Sequence, residues 1–135
     1  DHSPHTLEEK EQPYLKSKSG GPMVQHLLQM LLSLAEAGFL SLEKIVEKTC
    51  ENPALFYGIQ GRGFVKEGYF ADCVLVDLET PFKVSKDHLL SKCGWSVFEG
   101  HTFSATIEKT FVNGQLVFDN GKIFSEVRGQ QVEIS

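Results

Sequence analysis

The sequence predicts an α/β fold with its helices in the first half and antiparallel strands in the second. Three observations carry this. Apolar residues recur at helical spacing between Met23 and Tyr57, and from Gly58 onward the apolar period falls to two. Two Asn-Gly pairs, Asn113-Gly114 and Asn120-Gly121, sit between β-prone runs, which is a strong hairpin signal. The 135 residues have the size of one domain, and 41% hydrophobic against 23% charged residues is a globular composition.

Asp1 to Pro22 is polar and ends in "SKSGGP". It predicts a long loop, and such loops in compact domains are functional or disordered. Pro22 suits the first turn of the helix that follows. That helix is predicted over Met23 to Gly38, with Val24, Leu27, Leu28, Leu31, Leu32 and Ala35 on one stripe that Met30 and Leu34 widen. Gly38 stops it. Ser41 caps a second helix, with Glu43 in its first turn and Leu42, Ile45, Val46 and Thr49 facing inward. Pro53 is expected to interrupt it, leaving a short turn through Leu55 and Phe56 to Gly58. "CVLVDL", Cys73 to Leu78, is a continuous apolar run that predicts a strand buried on both faces. "ATIEKTFV", "QLVF" and "KIFSEV" then form a small meander.

A net charge of −5, with Lys and Arg scattered among acids, argues against a nucleic-acid or anionic-membrane partner. The apolar stretch from Leu27 to Leu34 is too short to span a bilayer, and no secretory leader is expected. Cys50, Cys73 and Cys93 lie far apart without a CxxC pair. They are expected as free thiols packed as small core residues, in a reducing compartment such as the cytoplasm.

The chemistry-bearing stretch is "DHSPH". Asp1 can bind a divalent metal or accept a proton from water, and His5 can act as ligand, general acid or donor to an anionic substrate. Pro4 stiffens the turn between them. A metal site needs at least three ligands. His26, His88 and His101 are isolated, so on composition alone an idle polar loop is the simpler reading.

The residues resemble a known family. "DHSPHTLEEK" is similar to the Asp-His-Ala-Pro-His segment after the eighth barrel strand of dihydroorotases, in the metal-dependent amidohydrolase superfamily; Ser3 stands where Ala is common. "GGPMVQH" resembles the following Gly-rich loop. "ENPALFYGIQGRGFVKEGYFADCVLVDLE" and "CGWSVFEGHTFSATIEKTFVNGQLVFDNGK" resemble the rest of the family's tail. The resemblance implies the C-terminal part of a (β/α)8 barrel plus strands of a flanking β-sandwich. Residues 1–58 would hold the active-site loop and two barrel helices, and residues 59–135 the β-rich share of the sandwich.

It further implies zinc-dependent, reversible hydrolysis of dihydroorotate to N-carbamoyl-L-aspartate, with one or two metal ions. Asp1 would be metal ligand and general base, and His5 would bind the substrate carboxylate. The backbone of Ser19, Gly20, Gly21 and Pro22 would contact the ring. The family's His-x-His pair, carboxylated lysine, two further His ligands and substrate-clamping arginine have no counterpart among these residues. The chain alone is therefore expected to be inactive and to need the rest of the barrel, a second chain or a homodimer. Hydantoinase, dihydropyrimidinase or allantoinase is the alternative within the class, and a non-catalytic interaction module the alternative outside it. "NPALFYG", Asp72, Asp77, Trp95, Phe98, Phe103 and His101 read as structural.

Overall fold

The computed structural model describes residues 1–135. The polar first segment is not wholly irregular: a one-turn helix, α1 (Leu7–Lys10), forms inside it. A 3-10 turn over Val24–His26 leads into α2 (Leu27–Glu36), so the predicted helix begins tightly wound and three residues later as α-helix. Its end follows the expected chemistry. Gly38 adopts φ +80°, Phe39 donates to the Leu34 carbonyl at 3.0 Å, and Gly38 donates to Ala35 at 2.9 Å. This pair of bonds satisfies carbonyls that the last turn leaves open. The Ser41 hydroxyl accepts from the Lys44 amide at 3.2 Å and so caps α3 (Leu42–Val46).

Two expectations fail in this region. Pro53 does not interrupt the helix; α3 runs through a π-helical turn at Glu47–Glu51 into α4 (Asn52–Phe56), with Pro53 in the first turn of α4. Proline lacks an amide proton and collides with the carbonyl four residues back, and the wider π turn accommodates that defect without breaking the axis. Of the four residues expected to face inward only Ile45 is buried, whereas Leu42, Val46 and Thr49 are exposed. Cys50 is exposed as well, and Cys73 and Cys93 are half-buried, so the thiols are not core residues as a group.

The β half is a four-stranded antiparallel sheet of order β1-β4-β5-β6, from Cys73–Asp77, Thr106–Val112, Gln115–Asp119 and Lys122–Ile123. Phe82–Lys83 (β2) and Thr102–Phe103 (β3) make a separate pair. Both Asn-Gly pairs turn hairpins, with φ of 52° and 76° at the first and 45° and 91° at the second. β1 is an edge strand, pairing only with β4, and it is not covered on both faces as expected. Val74 and Leu75 keep 43% and 48% of their surface exposed. The chain's end returns to the helical half, where Ser135 donates to the Gly58 carbonyl at 3.0 Å and Ile59 bridges Ile134.

Asp72 and Asp77 are structural, as expected. Asp77 caps the turn after β1 by accepting from the Glu79 amide at 2.8 Å and the Thr80 hydroxyl at 2.6 Å. These bonds hold its carboxyl below the usual range, the Thr80 hydroxyl contributing most. Asp72 accepts from the Asn113 amide at 2.7 Å and pairs with Arg62, whose guanidinium also reaches Asn113 Oδ1 at 2.7 Å and lies 4.2 Å over the Phe70 ring. The loop from residue 61 to 72 is thereby knotted to the first hairpin.

The core is small. Leu32, Ile45 and Ala105 form one cluster, with Leu28, Leu31, Ala35, Leu40 and Val76 packed against it. A second centre is aromatic: His26, 1% exposed, lies 5.8 Å from the Phe103 ring and 5.9 Å from Phe98. The accessible surface is 9599 Å², against about 7100 Å² for a compact monomer of 15.1 kDa. Leu27, Leu34, Phe39, Val46 and Val74 are among the large apolar side chains left exposed.

Neither ring nitrogen of His26 has a hydrogen-bond partner. Burial, and secondarily the charge of His88, lowers its tendency to take a proton. The folded state then binds fewer protons than the unfolded one, so stability is full above the unfolded value of 6.5 and declines as pH falls below it. Replacing the unpartnered ring by leucine (His26→Leu) should stabilise the protein by about 1 kcal/mol at neutral pH and flatten the acid limb of a pH series of urea melts. A variant that is less stable at pH 7 and equally acid-sensitive would contradict this.

Candidate functional site

The first twenty-two residues form a closed excursion rather than a free end. Thr6 caps α1 by accepting from the Glu9 amide at 3.3 Å, while the Glu9 carboxylate accepts from the Thr6 amide at 2.9 Å. This reciprocal capping box satisfies two donors that a helix start leaves open. The Thr6 amide is the chief reason the Glu9 carboxyl is held below its usual range. The same carboxylate faces His5 Nδ1 at 3.6 Å, leaving Nε2 without a protein partner.

Ahead of α1, the turn from Asp1 to His5 packs directly on the glycine loop. Ser3 donates to the Gly21 carbonyl at 3.0 Å. Gly20 has φ +90°, and a Cβ there would lie 2.4 Å from Ser3 Cβ. A Cβ on Gly21 would come within 2.9 Å of Val97 Cγ1. Glycine is needed at these positions because backbone must approach backbone and side chain this closely. The amides of Ser19, Gly20 and Gly21 donate to no group in the chain. Pro22, which follows, is buried.

The β-rich half supplies the other wall. Trp95 Nε1 donates to the His5 carbonyl at 2.7 Å. Gln25 bridges to the same segment, donating to His88 O at 2.6 Å and accepting from the Leu90 amide at 2.9 Å. A cavity of about 270 Å³ lies between, lined by His2, Pro22, Gln25, Leu90, Trp95 and Ser96 among others. Trp95 was expected only to pack; it also anchors the turn that carries His5. Phe98 and Phe103, read as structural, pack around His26, and the exposed His101 ring lies 4.7 Å from that of Phe103.

Among the predicted site residues, Asp1 and His5 therefore sit at the two ends of one short turn, and Ser19 to Pro22 lie against its middle. Asp1 is exposed, and its Oδ1 accepts from the His2 amide at 2.7 Å. Two neighbours escaped the sequence reading. Glu9 was detectable through the Thr6-x-x-Glu9 capping pattern. Lys10, whose ammonium reaches the carbonyls of Lys18 and Gly20, carries no local signal.

The sequence profile of the amidohydrolase family matches residues 17–117. The chain belongs to the amidohydrolase family. Amidohydrolases similar to it include the dihydroorotase of Pyrococcus furiosus, 33% identical over 98% of this chain and 31% of the relative. The dihydroorotase of Halobacterium salinarum is 39% identical over 98% of this chain and 31% of the relative. Among solved amidohydrolase structures, the L-hydantoinase (dihydropyrimidinase) of Arthrobacter aurescens superposes with a TM-score of 0.79 at 32% identity, covering 87% of this chain and 27% of that one. The D-hydantoinase (dihydropyrimidinase) of Thermus sp. gives 0.83 at 20% identity, covering 91% and 28%. The chain thus spans about a third of the length of these curated relatives.

Membership implies a metal cofactor. Nowhere in the chain do three or more His, Cys, Asp or Glu side chains converge. Asp1 offers one carboxylate where a stable site needs at least three ligands. These residues do not by themselves hold a metal.

The Gly20–Ser3 contact makes a sharp expectation. Gly20→Ala should destabilise the protein by about 2 kcal/mol, from the clash and from left-handed backbone that alanine disfavours. Ser3→Gly in the same protein should recover part of that loss by removing the opposing Cβ. Thermal melts of the two single variants and the double variant test it, and strict additivity would refute the contact.

Proposed function

We propose that these residues are the C-terminal part of a (β/α)8 dihydroorotase, with residues 1–58 closing the barrel and residues 59–135 contributing strands to a flanking sandwich. The reaction is the reversible hydrolysis of (S)-dihydroorotate to N-carbamoyl-L-aspartate. The observation that carries this reading is the packing of the Asp1–His5 turn on a glycine loop with three unpartnered amides. One edge of the chain thereby presents an exposed carboxylate, an imidazole and backbone donors. The matches to relatives named dihydroorotase along nearly the whole chain support the substrate.

In this reading Asp1 accepts a proton from the water whose oxygen adds to the ring carbonyl carbon, and returns it to the ring nitrogen as the C–N bond breaks. The reverse order of events closes the ring. His5, with Glu9 facing its Nδ1, donates from Nε2 to the substrate carboxylate. The amides of Ser19 to Gly21 donate to ring oxygens, and Pro22 fixes the loop's exit. Zinc, as one or two ions, would supply Lewis-acid polarisation of the carbonyl, with Asp1 as one ligand and the others from outside these residues. The remaining partners are the rest of the barrel and, in a homodimer, a second copy. We place the enzyme in the cytoplasm, where the thiols of Cys50, Cys73 and Cys93 stay reduced.

The whole protein carrying these residues should cyclise N-carbamoyl-L-aspartate. Asp1→Ala should lower kcat by about a thousandfold. His5→Ala should instead raise KM about tenfold with little change in kcat. Full turnover by the Asp1 variant would remove its role as base. The likeness to an L-hydantoinase at 32% identity favours one second reading, a hydantoin-cleaving enzyme. Comparing kcat/KM for dihydroorotate and a 5-substituted hydantoin separates the two, and a higher value for the hydantoin would replace the first reading.

A further inference from the structure

Lys10 stands one turn of helix away from His5 and forms no ion pair. Its ammonium instead donates to two carbonyls of the glycine loop, Lys18 O at 2.6 Å and Gly20 O at 2.9 Å. The backbone on both sides is stitched to match: Lys18 donates to the Glu9 carbonyl at 3.3 Å, and the Ser17 hydroxyl donates to the Lys10 carbonyl at 2.8 Å. An ammonium has three donors and no acceptor, and hydrogen bonds from a charged donor are about twice as strong as neutral ones. Gathering alternate carbonyls onto one cation fixes the course of the peptide units between them. Those units carry the amides of Ser19 and Gly20, which with Gly21 have no acceptor in the chain.

We infer that Lys10 is a positioning residue for substrate binding: by holding the carbonyls of Lys18 and Gly20 it keeps the glycine loop in the form that presents its free amides to the substrate. The inference rests on the dihydroorotase reading above for the identity of the substrate, and on the geometry alone for the clamp. A merely structural lysine would lower stability without separating binding from turnover. A clamp on a binding loop raises KM and leaves kcat in place.

The test compares Lys10→Met, Lys10→Gln and Lys10→Arg in the whole protein. Methionine keeps the apolar stem without a donor, glutamine keeps one neutral donor group, and arginine restores a charged multiple donor. With dihydroorotate, Lys10→Met should raise KM about tenfold with kcat within about twofold, glutamine should fall between, and arginine should recover most of the loss. Hydrogen–deuterium exchange over residues 17–21 should accelerate in the same order. A KM unchanged in Lys10→Met, or a kcat that falls as far as KM rises, overturns the positioning role even if exchange accelerates. If the parent protein turns over no dihydroorotate, the substrate reading fails. Exchange then decides the clamp, and an unchanged rate in Lys10→Met refutes it.

Discussion

The candidate site depends on one close approach, that of residue 20 to residue 3. Apolar carbons normally stop at about 3.5–4.0 Å, and a side chain on residue 20 would bring two Cβ atoms to 2.4 Å. With glycine there, the backbones come near enough for Ser3 to donate to Gly21 at 3.0 Å. That bond closes a loop of seventeen intervening residues. α1 stands inside the loop and is far too short to persist on its own. It holds because each of its ends is tied: Thr6 and Glu9 cap each other, and Lys10 reaches across to the loop it faces.

The closed loop is in turn leaned on from a distance. Trp95 holds His5 by its carbonyl, and Val97 sits where a side chain on Gly21 would go. The segment carrying them is pinned by Val84, which donates to His101 at 2.9 Å and accepts from Gly100 at 3.0 Å, and by the aromatic packing of Phe98 and Phe103 on His26. His26 stands at the start of the helix that leaves the glycine loop. A chain of contacts thus runs from the buried aromatic centre to the exposed turn bearing Asp1. The unpaired imidazole costs stability, yet it fills a position between the helix start and the aromatic residues of the β-rich half. Loss of packing there would reach the Asp1–His5 turn through Trp95, without touching a residue of that turn.

What was legible in the sequence is what local chemistry determines. Gly38 and Ser41 announced a helix end and a helix start, and the Asn-Gly pairs announced both hairpins, because each signal names a backbone conformation few other residues adopt. Asp72 and Asp77 were read as structural, and each holds a turn through its carboxylate. What failed depends on distant neighbours. Cys73 to Leu78 looked like a strand covered on both faces, but the sequence does not say what covers it, and here it is an edge. Pro53 looked like a break because the π turn that absorbs it has no local signature. At the site, Asp1, His5 and the glycines were visible as residue types. Lys10 was not, since any lysine could have pointed to solvent, and Trp95 was read only as packing, because nothing local names the carbonyl it meets.

These pieces divide the labour unequally. The 135 residues hold the Asp1 turn and its glycine loop by hydrogen bonds to backbone atoms, with only a few side chains fully enclosed. An arrangement held that way is accurate in its hydrogen-bonded parts and sparse in its packing. Its surface exceeds that of a compact monomer by about 2500 Å², within the range that permanent interfaces bury. Several of the exposed apolar residues lie along α2, α3 and β1: Leu27, Leu34, Leu42, Val46, Val74 and Leu75. Covering those elements would stiffen the helix that carries His26 and the glycine loop ahead of it. Tighter packing of α2 would therefore also sharpen the placement of Ser19 to Gly21, so the helix and the glycine loop ahead of it share one mechanical route.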